Sequence, residues 1–139
     1  IELDEEFRKP EGELKKKEMD HLRKFLLSEY KKGHYLVAGG DWNQYPPAIQ
    51  SVQDRYRGLD TDKTGTIPGD FMPGGWTWAF DASTPTNRSL KAPYNEQTET
   101  TVIDYFLLSP NITLSQVETI DLNFRHADHQ PVMVRIRLD

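Results

Sequence analysis

The sequence contains no cysteine among its 139 residues. Disulfide bonds, thiolate nucleophiles and cysteine-ligated zinc are therefore excluded. No apolar run approaches the roughly 20 residues that a membrane-spanning helix needs. Basic residues are also in the minority, with 17 Lys and Arg against 22 Asp and Glu. Because nucleic-acid binding relies on Lys and Arg to neutralise phosphates, this balance disfavours a long nucleic acid as the partner.

The length predicts one globular domain. Hydrophobic residues make up 36% of the chain and charged residues 28%, which is a globular composition on its polar side. The chain begins at Ile1 and carries no signal-peptide pattern, so we expect a processed or truncated product. These features leave the compartment open between cytoplasm, periplasm and secretion.

The order of the predicted elements indicates an α/β fold. A helix at 13–33, with apolar residues at helical spacing, leads almost directly into a short apolar strand at 34–40, which we expect to be buried. The Pro- and Gly-rich stretch 46–94 predicts surface loops with one strand near 76–80. Three further strands are predicted at 101–109, 111–122 and 131–139.

Polar residues follow the first predicted strand in the stretch GGDWNQ. Asp41 and Asn43 are two residues apart and point the same way if the extended conformation continues. Asp41 can then accept a proton, and Asn43 can donate a hydrogen bond. An Asx turn is the alternative explanation of the same residues.

Asp104 lies inside the apolar run VIDYF. An ionised, unpaired carboxylate there would cost several kcal/mol, so Asp104 must have a partner. That partner is either structural or a histidine that Asp104 orients and keeps charged. His129 in HADHQP is the candidate, because it precedes the last predicted strand. Asp128 beside it is free to bind a metal, although a solvated loop would explain both residues equally.

A serine nucleophile is disfavoured because no Ser lies in a Gly-x-Ser-x-Gly turn. Asn87 heads an N-x-S/T sequon, which we interpret only as a potential glycosylation acceptor.

Together, GGDWN (39–43), VIDYFLLS (102–109) and ADHQP (127–131) resemble the late motifs of the endonuclease/exonuclease/phosphatase superfamily, in family order. The one departure within them is Ala127, where serine is usual. The resemblance covers the whole chain but corresponds to the C-terminal portion of the family domain, 1–139. It implies half of a two-sheet α/β sandwich, with a mixed sheet and outer helices like deoxyribonuclease I. The upstream part, including the Glu that anchors the metal in the family, is expected to be absent.

The resemblance implies hydrolysis of a phosphoric ester by an activated water, as a phosphodiesterase or a phosphatase. Asp41 would orient the attacking water and accept its proton. Asn43 would hydrogen-bond a phosphoryl oxygen, and His129, charged by Asp104, would stabilise the growing negative charge. Asp128 would help to bind Mg²⁺ or Mn²⁺. Arg88, ahead of the Ile-Asp-Tyr strand, would contact a substrate phosphate.

Two functions from different classes follow. The first is a metal-dependent hydrolase of a small phosphoester, with this chain inactive or weakly active by itself. The second is a non-catalytic binding or assembly module that retains the fold. A half-domain would expose an apolar sheet face, so we also expect a homodimer through that face.

Overall fold

The computed structural model describes residues 5–47, 49 and 65–139. The chain divides into two compact units, residues 1–34 and residues 35–139. Within the described residues the fold is mixed α/β, with one helix and several small antiparallel sheets. The predicted α/β class is therefore confirmed at this level. The elements, in chain order, are α1 (Glu5–Lys31), β1 (Val37–Asp41), β2 (Thr77–Ala79), β3 (Asn87–Arg88), β4 (Thr100–Thr101), β5 (Asp104–Leu108), β6 (Ile112–Thr119) and β7 (Val132–Leu138).

Helix α1 forms the first unit and begins eight residues earlier than predicted. It ends where expected, because Gly33 has a φ of 90°, in the left-handed region that favours glycine. The Gly33 N–H donates to the carbonyl oxygen of Tyr30 at 2.8 Å, which satisfies one of the last helical carbonyls. Leu14 and Phe25, predicted on the apolar face, are each more than half exposed. The helix has no apolar stretch long enough to cross a membrane, and it is the one helix in the described residues.

The central sheet has the order β1-β5-β2, with both pairs antiparallel. Strand β5 has a neighbour on each edge, and Tyr105, Leu107 and Leu108 on it are buried. Strand β1 forms where predicted, but the expectation that it is buried was wrong. It lies at one edge of this sheet, and four of its five residues are exposed. An edge strand with two glycines has few side chains to bury.

The predicted mixed sheet is not present among the described strand pairs, which are all antiparallel. The one parallel pairing there is an isolated bridge between Tyr45 and Thr66. Strands β6 and β7 form a two-stranded sheet, and the loop between them carries HADHQP.

Two apolar clusters lie among the described residues of the second unit. The larger joins the central sheet to the β6-β7 pair and consists of Ala79, Leu108 and Ile112 with Phe106, Leu114, Val117, Val134 and Ile136 packed against it. The smaller consists of Tyr45, Ile49 and Val102, with Phe80 against it. The larger cluster fixes β6 and β7 on the sheet, so the loop between them is held beside the ends of β1 and β5.

Candidate functional site

The three motifs found in the sequence meet at one end of the central sheet. Asp41 is the last residue of β1 and Asp104 is the first residue of β5. In an antiparallel pair these two ends coincide, and Asp41 is the register partner of Asp104. His129 arrives from the loop between β6 and β7. One ligand atom from each of these three side chains lies within 4.8 Å of the others.

The contact between Asp104 and His129 predicted from the sequence is present. Nδ1 of His129 lies 2.8 Å from Oδ2 of Asp104, and the Asp104 side chain is only 17% exposed. Because an ionised carboxylate only accepts hydrogen bonds, Nδ1 is the donor. Partial burial lowers the pKa of His129. The hydrogen bond and charge of Asp104, with the charges of Asp41 and Asp128, outweigh that effect, so the net pKa is raised above its ordinary value.

The carboxylate of Asp41 has two different environments. Its Oδ1 accepts the N–H of Asn43 at 2.8 Å, which is the Asx turn offered as the alternative explanation. Its Oδ2 lies 3.9 Å from Nε2 of His129. The Asx turn and the proximity to His129 are thus both present. The extended conformation ends at Asp41, since Asn43 has a φ of 51°. The condition under which Asp41 and Asn43 would point the same way is therefore not met.

Asp128 lies at the margin of this cluster. Its carboxylate Oδ2 is 4.0 Å from Nε2 of His129 and accepts no hydrogen bond from the described residues. Its main-chain carbonyl accepts from the main-chain N–H of Arg88 at 3.0 Å and from Nδ2 of Asn87 at 3.1 Å. The loop is thus held through its main chain, which leaves the Asp128 carboxylate at the surface.

The donor set fits a hard divalent cation. Carboxylate oxygens are the ligands that Mg²⁺ and Mn²⁺ prefer, and no soft sulfur ligand is present. One oxygen of Asp104 is engaged by His129, and one oxygen of Asp41 is engaged by Asn43. Oδ2 of Asp41, Oδ1 of Asp104 and the carboxylate of Asp128 are the oxygens that remain for an ion. The group of three that the geometry brings together is Asp41, Asp104 and His129. The sequence had assigned the metal to Asp128.

An aromatic stack supports the β1 end of the cluster. The ring of Trp42 stacks on that of Tyr105 at a centroid distance of 5.5 Å and an angle of 5°. Nε1 of Trp42 also donates to the main-chain carbonyl of Tyr105 at 2.9 Å. Burial, with the charges of Asp41 and Asp104, raises the pKa of Tyr105. Its hydroxyl therefore stays protonated and donates to the carbonyl of Gln44 at 2.8 Å. These contacts tie the chain after Asp41 to β5.

The segment Pro85–Asn87 is the part of the site that the sequence did not reveal. The hydroxyl oxygen of Thr86, which is fully buried, accepts the N–H groups of Ile103 at 3.0 Å and Asp104 at 3.1 Å. The Thr86 main chain donates to Thr101 and accepts from Gln130, each at 2.8 Å. This segment therefore connects the beginning of β5 to the HADHQP loop.

The side chain of Gln130 also joins the HADHQP loop to the segment that contains Thr86. Its side chain is buried, donates to the carbonyl of Pro85 at 2.9 Å, and accepts the N–H of Leu122 at 2.6 Å. In a buried position each of these polar atoms needs a partner, so both hydrogen bonds fix the loop before β7. Within the sequence the only available signal was a run of polar residues after Pro85, which is equally typical of an ordinary loop.

Arg88 is near the cluster in the chain, but its guanidinium is not brought to it. The side chain donates from Nη1 to the carbonyl of Ser89 at 3.1 Å and forms no ion pair with a carboxylate of the described residues. Successive residues of a strand point to opposite faces. Because the preceding Asn87 points towards His129, Arg88 leaves β3 on the other side.

Comparison of the chain with protein-family models, with curated proteins and with solved structures finds no match. The description of the site therefore rests on the distances and contacts within this structure. Two carboxylates and an imidazole converge, a third carboxylate lies beside them, and Thr86, Asn87 and Gln130 hold the segments that carry them.

Proposed function

We propose that this chain carries the site of a metal-dependent phosphoric-ester hydrolase, in a fold of the endonuclease/exonuclease/phosphatase type. The observation that carries the proposal is the convergence of Asp41, Asp104 and His129 from three separate segments. A solvated loop has no need to place a histidine between three carboxylates. In that fold, the central sheet and the β6-β7 pair would form part of a two-sheet α/β sandwich.

Each side chain has a role that suits its environment. Oδ2 of Asp41 would accept the proton of the attacking water, because Oδ1 is already held by the Asn43 N–H. Asp104 would orient the ring of His129 through Nδ1 and favour its charged form. Nε2 would then face the phosphoryl oxygens, where negative charge grows during the reaction. Asn43 would hydrogen-bond one of these oxygens from its position after the turn.

Asp128 is the residue that would help to hold Mg²⁺ or Mn²⁺, because its carboxylate accepts no hydrogen bond from the described residues and Oδ2 of Asp41 is assigned to the attacking water. When bound, such an ion neutralises charge that develops on the leaving group. We propose a small phosphoester as substrate in preference to a long nucleic acid. Acidic residues exceed basic ones by five, and the cluster itself contributes three carboxylates. Arg88 remains a proposed phosphate contact, which would require its guanidinium to turn away from Ser89.

The test is hydrolysis of a chromogenic phosphodiester and the matching phosphomonoester, each with Mg²⁺, Mn²⁺ or EDTA. It is run on these 139 residues and on any longer natural chain that contains them. We expect turnover that requires the metal and is lost in Asp41→Asn. The matched control is Asp121→Asn. Asp121 also accepts an N–H two residues ahead at 2.8 Å, from Asn123, but lies outside the cluster.

Equal turnover by both variants would exclude this site. Absence of turnover from wild-type protein in every form would contradict the hydrolase and favour a binding module that retains the fold. Comparison of the two substrates also distinguishes a phosphodiesterase from a phosphatase.

The homodimer expected through an exposed apolar sheet face stays a prediction. We propose in addition that two copies associate through the edge of the central sheet. Strand β1 pairs on one edge only among the described residues, and Val37 on it is 47% exposed. An exposed strand edge is a template for pairing with another chain. Sedimentation equilibrium should show a dimer that Val37→Lys dissociates. A monomer at high protein concentration would exclude this association.

A further inference from the structure

Asn87 contacts the candidate site at several points, although the proposed reaction gives it no role. Its side-chain Nδ2 lies 3.1 Å from the main-chain carbonyl of Asp128 and 3.2 Å from Nε2 of His129. Its Oδ1 accepts the hydroxyl of Thr101 at 3.2 Å. The backbones of Asn87 and His129 also form an isolated antiparallel bridge. One side chain therefore contacts both the main chain before His129 and its ring.

The orientation of the Asn87 amide follows from its partners. A carbonyl oxygen only accepts, so the atom that faces Asp128 is the NH₂ group. That group has two N–H donors, and the second faces Nε2 of His129. In the neutral ring only one nitrogen carries a proton, so if Nδ1 donates to Asp104, Nε2 is the nitrogen that accepts. The neutral imidazole is thereby held at both nitrogens and in one tautomer, with the proton on Nδ1.

We propose that Asn87 is the positioning residue of this site. It sets the place and the tautomer of His129 by binding the Asp128 carbonyl and Nε2 together. The consequence for catalysis rests on the proposed function, in which Nε2 faces the phosphoryl oxygens. When Nε2 carries a proton, the Asn87 N–H can no longer donate to it. The Asp128 carbonyl then keeps the amide beside the ring.

The proposal is tested by NMR on protein labelled with ¹⁵N-histidine, without metal or substrate. The His129 resonances are assigned by their loss in His129→Gln. At a pH where His129 is neutral, two-bond ¹H–¹⁵N correlations report which ring nitrogen carries the proton. We expect the proton on Nδ1 and an Nε2 shift typical of an accepting nitrogen. A wild-type spectrum with the proton on Nε2 would overturn the proposal without any variant.

Two substitutions examine the contact itself. Asn87→Leu has a similar shape but no donor, and we expect the Nε2 shift to move while Nδ1 remains bonded to Asp104. Asn87→Asp replaces the donor by an oxygen, so Nε2 should carry a proton at the same pH. The matched control is Asn95→Leu, because Asn95 lies in an exposed turn where its Oδ1 accepts the N–H of Gln97. Unchanged His129 shifts in a folded Asn87 variant would refute the contact.

An activity measurement separates this proposal from the proposed function. If the chain hydrolyses a phosphoester, Asn87→Leu should lower kcat by about 10- to 100-fold, as the loss of an outer partner of a site histidine does, with KM unchanged. A raised KM with normal kcat would show that Asn87 binds substrate and does not position His129. If no form of the protein hydrolyses phosphoesters, the proposed function fails, while the NMR result still decides the role of Asn87.

Discussion

Gly39 provides a quantitative test of how β1 is held against β5. It is the register partner of Phe106, and the phenyl ring lies across the glycine. A Cβ added at Gly39 would lie 2.4 Å from Cδ1 and 2.5 Å from Cε1 of that ring. The optimal separation between two carbon atoms is about 3.5 to 4.0 Å, so each of these two distances is too short by about 1 Å or more.

The ring has little freedom to move away, because Phe106 packs against the cluster of Ala79, Leu108 and Ile112. Forcing an extra methyl into a packed site costs about 1 to 3 kcal/mol. The lower conformational entropy of unfolded alanine returns about 0.4 to 1 kcal/mol. We therefore expect Gly39→Ala to lower the free energy of unfolding by about 1 to 2 kcal/mol. Because Asp41 is two residues further along β1, the Asp41–His129 distance should also change.

The assay is urea unfolding followed by tryptophan fluorescence and circular dichroism, with Gly74→Ala as the control. No heavy atom lies within 4 Å of the Cβ position at Gly74, so that change should stay within about 0.5 kcal/mol. Phe106→Val removes the two clashing atoms, so a double-mutant cycle should recover at least about 0.5 kcal/mol of coupling. Wild-type stability of Gly39→Ala, or no coupling, would refute the steric reasoning.

Three further predictions concern the polar contacts around the site. Thr86→Val leaves two buried N–H groups at the start of β5 without an acceptor and should cost about 1 to 3 kcal/mol in urea unfolding; a neutral result would contradict the contact. Burial raises the pKa of Asp81, but hydrogen bonds from three donors outweigh it and lower the pKa below 3.8. The ionised Asp81 therefore contributes its full stabilisation of the folded protein above pH 3.8. Asp81→Asn should lower the free energy of unfolding most near neutral pH, and this loss should disappear as the pH falls through the lowered pKa. The pKa of His129 is raised in the folded state, so its stabilisation is present below 6.5 and lost as the pH rises through the folded value. Asp104→Asn should accordingly lower the pKa measured by NMR and cost more stability at pH 6 than at pH 9; an equal cost at both would exclude the ion pair.

The strands were largely predictable because their patterns are local. The apolar run around Asp104 predicted a strand, and β5 forms there, at Asp104–Leu108. The position of each strand within its sheet was harder to predict from the sequence. The apolar residues before Asp41 predicted a buried strand, yet β1 is an edge strand, since edge or centre depends on which other strands pair with it.

The site was predictable where a residue conflicted with its surroundings. A carboxylate within an apolar strand requires a partner, and this physical need led from Asp104 to His129. The contribution of Thr86, Asn87 and Gln130 was not predictable in this way. Their hydrogen bonds reach partners 8 to 45 residues away in the chain, and polar residues in a loop conflict with nothing nearby.

The sequence by itself determined the α/β class, the ending of α1 just before Gly33, the strand that holds Asp104, and the need of that carboxylate for a partner. These follow from local periodicity, backbone conformation and the cost of burying charge. Only the tertiary structure decided that Asp41 faces Asp104, that the β6-β7 loop brings His129 to both, and that Asn87 lies against the imidazole. Those relations depend on strand register and on packing between distant segments, which no single stretch of sequence encodes.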